Sequence, residues 1–305
     1  MRSFPSVRSS SRHRSGRAFV ALLALGLALA SGLGVSLALG ALAPKTAFAK
    51  GGTAEVGVDP ERLQRIAQTV QGYIDRGEIA GAVTLVERRG QVVWLEAQGV
   101  KDLATKAPMS KDTLFRIYSM TKPITSVATL MLYEEGKLRL TDPIAKWIPE
   151  LANPRVLDDP AGPLDATSPA AKPITVRDLL THCSGLAYTF TAGDPLSKAL
   201  TAAGLNGSSA ALTPDEWAKR LGQLPLAYQP GTHWNYSLST DVLGLLVSRV
   251  SGMPYAEFLR TRIFEPLAMR DTAFFVPPAK LSRFATNYTP DPKTGQLVVL
   301  DSPAT

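Results

Sequence analysis

The chain has 305 residues, with 33 Lys+Arg against 26 Asp+Glu and a formal charge of +7. Six of those bases, Arg2, Arg8, Arg12, Arg14, Arg17 and Lys45, lie in the first 49 residues beside no acid, so the remainder carries 27 bases against 26 acids and offers nothing to attract a nucleic acid or an anionic membrane surface. The single cysteine, Cys183, excludes an internal disulfide, and two histidines beyond residue 49, His182 and His233, do not make a metal-ligand cluster, so no metal or other cofactor is implied.

In chain order, the basic start, an almost unbroken apolar run over 18–43 and the small-x-small pattern Ala47-Phe48-Ala49 read as an export signal occupying residues 1–49. The expected destination is periplasmic or secreted. The run is also long enough to span a bilayer, so an uncleaved anchor is the alternative, and only in that form is a membrane a partner. Residues 50–305 are enough for one large domain, or two intimately packed lobes, with a proper core.

Asp59-Pro60-Glu61 opens a helix, with Leu63, Ile66, Val70 and Ile74 at helical spacing. Ala82 to Glu87 and Gln91 to Glu96 are β-rich and separated by Arg88-Arg89-Gly90, a hairpin. A helix is predicted from Ser119 through Val127, Leu130, Met131 and Tyr133 to Gly136; its apolar residues occur on more than one face, which predicts burial all round. Leu138 to Ile144 leads into a short helix ending near Pro149. Residues 152–174 and 189–211 lack periodicity and read as loops. Between them Thr175 to Leu180 forms a helical turn stopping at Ser184-Gly185. Thr213 and Glu216 then form a capping box, with Leu212 and Trp217 as a hydrophobic staple. Further helices are predicted over Leu238 to Val250 and from Pro254 through Phe264, and Ala273 to Val276 reads as a returning strand.

Chemistry concentrates at Ser119 and Lys122. The spacing places hydroxyl and amine on one face of a first helical turn, and Pro123 is tolerated there because its missing N–H would have no helical partner. A serine becomes a nucleophile when a neighbour takes its proton, and an amine in a largely apolar pocket can do so. Tyr236, in the turn before the second long helix, is the next candidate, since a nearby ammonium stabilises a phenolate and lets a Lys/Tyr pair share the proton. A serine–histidine–acid triad is disfavoured: no Gly-x-Ser-x-Gly elbow occurs, and both histidines sit in turn phrases suited to structural hydrogen bonds. A catalytic Cys183 beside His182 is disfavoured as well, because adjacent side chains usually point apart.

Phe115-Arg116-Ile117-Tyr118-Ser119-Met120-Thr121-Lys122-Pro123, Leu138 to Ile144, Thr175 to Leu186, Trp234-Asn235-Tyr236-Ser237 and Asp241-Val242-Leu243-Gly244, in that order, resemble the serine β-lactamase-related hydrolases. The likeness is nearest to class C β-lactamases and family VIII carboxylesterases. It implies an α+β, β-lactamase/transpeptidase-like fold, an antiparallel sheet flanked by helices with a helical lobe inserted over about 119–270. It further implies Ser119 as acylated nucleophile and backbone N–H oxyanion donor, Lys122 as general base and Tyr236 as proton relay. The expected activity is hydrolysis of short-chain carboxylic esters or amides through an acyl-enzyme. A β-lactamase or D-alanyl-D-alanine peptidase is the enzymatic alternative, and an inactive binding or sensor module the non-enzymatic one.

Two departures shape these expectations. Class C β-lactamases carry asparagine two residues after the tyrosine, where this chain has Leu238, which favours the esterase side. Lys293-Thr294-Gly295 spells the family's third motif but follows Tyr236 by 57 residues, well short of the usual interval, within the turn phrase Asp291 to Gln296. Read as a decoy, it leaves the chain without the last strands, with an exposed sheet edge and apolar faces expected.

Overall fold

The computed structural model describes residues 53, 55–206 and 212–303; the leader expected over 1–49 lies outside them. Helix α1 (Pro60–Asp75) starts where Asp59 accepts hydrogen bonds from the N–H groups of Glu61 and Arg62. It ends in a Schellman motif in which Gly77 N–H donates to Ile74 and Glu78 N–H to Tyr73. Strands β1 (Gly81–Arg88) and β2 (Gln91–Gly99) follow as an antiparallel hairpin pairing Gly81 with Gly99 and Arg88 with Gln91. Its two-residue turn, Arg89-Gly90, takes positive φ at both positions, the twist that suits a tight hairpin.

A 3₁₀ turn over Tyr118–Met120 runs into α2 (Thr121–Glu134), so Ser119 precedes the α-helix instead of starting it. Pro123 still falls in the first turn, where its missing donor costs nothing. Contrary to the expectation of burial all round, α2 hides Thr125, Ala128, Thr129 and Leu132 and leaves Val127, Leu130 and Tyr133 exposed. The residues from Leu138 onward form two 3₁₀ turns, Ile144–Lys146 and Pro149–Leu151.

Two stretches read as loops contain regular structure. Strands β3 (Arg155–Leu157) and β4 (Thr167–Pro169) pair inside 152–174, too short for a sequence period to register. Helix α4 (Asp194–Ala202) occupies part of 189–211, with Pro195 in its first turn and Leu196 and Leu200 buried four residues apart. Helices α3 (Val176–Leu180) and α5 (Pro214–Gly222) carry the capping boxes Thr175/Asp178 and Thr213/Glu216. The core gathers around α6 (Ser239–Ser251), whose Val242, Leu243, Leu246 and Val247 are fully buried and which packs against α2, α3 and α7 (Tyr255–Leu259). Helix α7 passes directly into a π-turn, Arg260–Phe264.

The returning strand predicted at Ala273–Val276 is absent. These residues form a loop with Phe274 and Phe275 exposed, because Pro277-Pro278 removes two ladder donors immediately afterwards. The chain returns later, as β5 (Asn287–Pro290) and β6 (Leu297–Asp301), an antiparallel pair whose Val298, Val299 and Leu300 are exposed. Its approach runs beside residues 100–116: Leu114 bridges Phe284, Thr286 donates to Asp102, and Arg116 pairs with Asp301. Among the described residues no helix is long and apolar enough to cross a membrane.

Arg249 on α6 ties the helical region together, donating to both oxygens of Glu150 at 2.7 and 2.8 Å, to Asp215 and to the Trp147 carbonyl. A two-pronged, partly buried pair of this kind leaves a carboxylate poorly solvated when the guanidinium is lost. Arg249→Met is therefore expected to lower unfolding stability by about 2 kcal/mol, read as a fall in urea midpoint. Leu132→Ala, at a position 0 % exposed, should cost about 3 kcal/mol.

Candidate active site

The site is assembled from three segments: the 3₁₀ turn with the start of α2, residues 182–191, and the turn leading into α6. Tyr118 takes a φ of 40°, a left-handed conformation that a bulky residue adopts only when its surroundings hold it there. Asn287 of β5 donates to its hydroxyl at 2.9 Å, pinning the residue before Ser119. The turn before α6 is laced to 182–191: Asn235 N–H donates to the His182 carbonyl, its side-chain amide donates to Leu186, and Thr191 donates to the Tyr236 carbonyl. Gly185, at φ 84°, permits this approach, since a Cβ there would lie 2.0 Å from the Tyr228 carbonyl oxygen.

The structure brings all three sequence-predicted residues together. Tyr236 donates its hydroxyl to Ser119 Oγ at 2.6 Å and Lys122 Nζ donates to the same oxygen at 3.3 Å. Lys122 Nζ also stands 4.7 Å from the Tyr236 ring centre and 5.3 Å from that of Tyr188. Burial works to raise the pKa of Tyr236, but the hydrogen bonds to Lys122 and Ser119 and the lysine charge outweigh it, and the phenol lies below the ordinary tyrosine value.

Sequence reasoning missed the second half of this network. Tyr188 donates to Asp241 at 2.7 Å. Desolvation raises the Asp241 carboxyl above its ordinary value against the opposing pull of the Tyr188 hydrogen bond and Lys122. Desolvation and the Asp241 charge also push the Tyr188 phenol upward, so Tyr188 stays a donor. The available signal was Asp241 itself, an acid in the first turn of a helix whose following residues, Val242 to Val247, are apolar. His182 accepts from Ser237 N–H through Nδ1 at 3.2 Å and lies against the Tyr236 ring. Desolvation, then the Lys122 charge, lowers its pKa, which keeps it neutral, in the structural role expected for it. His233 stacks on Tyr228 away from the cleft, and Cys183 contacts the Thr181 carbonyl through its sulfur.

These groups open onto a cleft of about 650 Å³ walled chiefly by Phe190, Trp217, Thr240, Leu245, Tyr255 and Phe274. Leu238 is not among its walls; it is buried in the core at 2 % exposure. Lys293-Thr294-Gly295 forms the β5–β6 turn, where Asp291 accepts from the N–H groups of Lys293 and Thr294, and borders a different hollow with Gly77 and Val100. Among the described residues no group of three or more His, Cys, Asp or Glu is placed to hold a metal ion.

Asp241 opposes ionisation of Tyr236 through its negative charge. Asp241→Asn removes that charge, so the phenolate of Tyr236 should form at lower pH. The check is an ultraviolet titration taken as the difference from the same protein carrying Tyr236→Phe; an unchanged or raised midpoint would contradict the assigned coupling.

The family model described as Beta-lactamase matches residues 66–305. Protein Rv1367c of Mycobacterium tuberculosis (strain ATCC 25618 / H37Rv) is 44% identical over 223 residues, covering 73% of this chain and 54% of that protein. Esterase EstB of Burkholderia gladioli is 39% identical over 212 residues, covering 69% of this chain and 50% of EstB. The chain thus spans about half the length of these curated relatives. Among solved structures, EstCE1, described as a hydrolase with promiscuous acyltransferase activity, superposes with a TM-score of 0.68 at 30% identity, covering 79% of this chain and 59% of that one.

Proposed function

The chain belongs to the Beta-lactamase family, and from that premise we propose that it is a serine hydrolase of carboxylic esters. The observation that carries the reading is the convergence of Tyr236 and Lys122 on Ser119 Oγ. With the phenolate formed, the 2.6 Å line reverses and Ser119 donates its proton to Tyr236. Oγ attacks the ester carbonyl, and Lys122, which the resemblance casts as general base, acts in this reading through its positive charge, steadying the phenolate before the proton passes on. Backbone N–H of Ser119 is assigned as an oxyanion donor. The alcohol leaves with the proton held by Tyr236, giving an acyl-serine; water, deprotonated by the same pair, then releases the acid and restores Ser119.

The walls favour an ester over a lactam or a D-alanyl-D-alanine peptide. Both of those carry a carboxylate, and the described lining holds one cation, Lys122, already engaged by Ser119, beside the acid Asp241. An uncharged ester meets no such penalty. Esterase EstB and a lovastatin esterase of Penicillium rubens support the same preference.

The decisive test is the intact mass of the purified protein after exposure to a fluorophosphonate, beside Ser119→Ala, with circular dichroism to establish folding. One adduct, absent from the variant, is expected. A folded, unlabelled protein would overturn the hydrolase reading and assign a binding role.

The pH dependence has a definite sign. Because ionised Tyr236 is the reactive form and its pKa is lowered, kcat/KM for an activated ester should rise with pH and level off below the ordinary tyrosine value of about 10. Tyr236→Phe should lower kcat/KM by at least about 100-fold. Lys122→Met should both lower the rate and move the remaining inflection upward.

A further inference from the structure

A second hollow adjoins the cleft. It has a volume of about 870 Å³ and runs between α7 with its π-turn and the loop 268–275, walled by Ala256, Phe264, Met269, Ala273, Phe274 and Phe275. Phe274 belongs to the walls of both hollows, and its ring tilts against Tyr255 with centres 5.4 Å apart, so groove and cleft meet at this side chain. Phe274 and Phe275 are 55% and 73% exposed, two adjacent aromatic rings held in water by a loop that forms no ladder. The charges Glu257, Arg260 and Glu265 pair with one another, and Arg270 also lines the groove beside its apolar side chains.

We propose that this groove is the outer half of the substrate site and takes the aliphatic arm of an ester whose carbonyl lies at Ser119. The inference rests on the reading of Ser119 as the acylated nucleophile and changes its substrate class, from short-chain esters to esters bearing a medium-length, uncharged hydrocarbon chain. Three features argue for that occupant. The groove shares its Phe274 wall with the cleft, its acids Glu257 and Glu265 are paired with Arg260, and its exposed phenyl rings gain when an apolar partner covers them. A chain passing Phe274 would cover both rings.

The experiment compares p-nitrophenyl octanoate with p-nitrophenyl acetate, below micellar concentrations, in the wild-type protein, Phe275→Asp and Ala273→Trp. Each methylene drawn from water is worth about fourfold in kcat/KM, so burial of two of the extra methylenes of octanoate should already take the octanoate-to-acetate ratio above about tenfold in the wild type. Phe275→Asp, which sets a charge on the wall, and Ala273→Trp, which fills the groove, should each cut that ratio by about tenfold. Both positions are solvent-exposed, so the fold should tolerate the changes, with circular dichroism as control.

Calorimetry of 1-octanol binding to Ser119→Ala protein separates the two readings. Absence of ester turnover in the folded wild-type protein, together with octanol binding that Phe275→Asp weakens at least fivefold, would fail the nucleophile and keep the groove as an aliphatic site. A ratio unmoved by both variants, or octanol binding indifferent to Phe275→Asp, would overturn the groove. So would a wild-type dimer in sedimentation velocity that Phe275→Asp abolishes, since that result assigns the face to a second copy of the chain.

Discussion

Everything at the candidate site depends on two helices approaching closely enough for Tyr236 to reach Ser119, residues separated by 117 positions in the chain. Neither segment holds that geometry by itself. The 3₁₀ turn bearing Ser119 is anchored through Tyr118 to Asn287, and the turn bearing Tyr236 is anchored through Asn235 and its own carbonyl to residues 182–191. A contact made by two braced backbones loses little further entropy when a substrate arrives, which is what a positioned nucleophile requires.

The electrostatics follow from that approach. One ammonium, Lys122, is shared among two phenols, a hydroxyl and a carboxylate. The two tyrosines are driven apart: burial and then the Asp241 charge make Tyr188 ionise less readily, whereas at Tyr236 the hydrogen bonds to Lys122 and Ser119 and the lysine charge outweigh burial and it ionises more readily. Two side chains of the same type thereby take different duties, one to exchange a proton and one to hold a charge in place. Ser184, Ser237 and Ser239 form a buried hydroxyl chain, so three polar side chains at the entry to α6 are satisfied by one another without bulk water.

Legibility in the sequence tracked how local each cause was. Caps, the hairpin turn and the capping box at Thr213 are interactions within a few residues, and they could be read directly. The proximity of Ser119 and Lys122 is equally local. Tyr236 was a candidate by its chemistry and its place before the second long helix, and the resemblance strengthened it, because nothing in its own neighbourhood says that it meets α2. Asp241 and Tyr188 were hidden for the same reason, since their partnership spans 53 positions. Helix α4 was obscured by the Ala, Gly and Ser around it, although Leu196 and Leu200 carried the period. The strand expected at Ala273–Val276 failed where a short apolar run was weighed above the two prolines that follow.

The reading of α2 failed more instructively. Hydropathy would bury Val127, Leu130 and Tyr133, yet the buried stripe is Thr125, Ala128, Thr129 and Leu132, and Lys122 stands on the same face one turn earlier. Thr125 and Thr129 can face inward because each donates its hydroxyl to the carbonyl four residues before, at 3.1 and 3.0 Å, leaving a methyl to pack. Small side chains on this stripe let α2 lie close to α6. A stripe of leucines would satisfy hydropathy better and hold the helices farther apart, and a separation of one ångström at this contact is enough to lose the hydrogen bond between Tyr236 and Ser119.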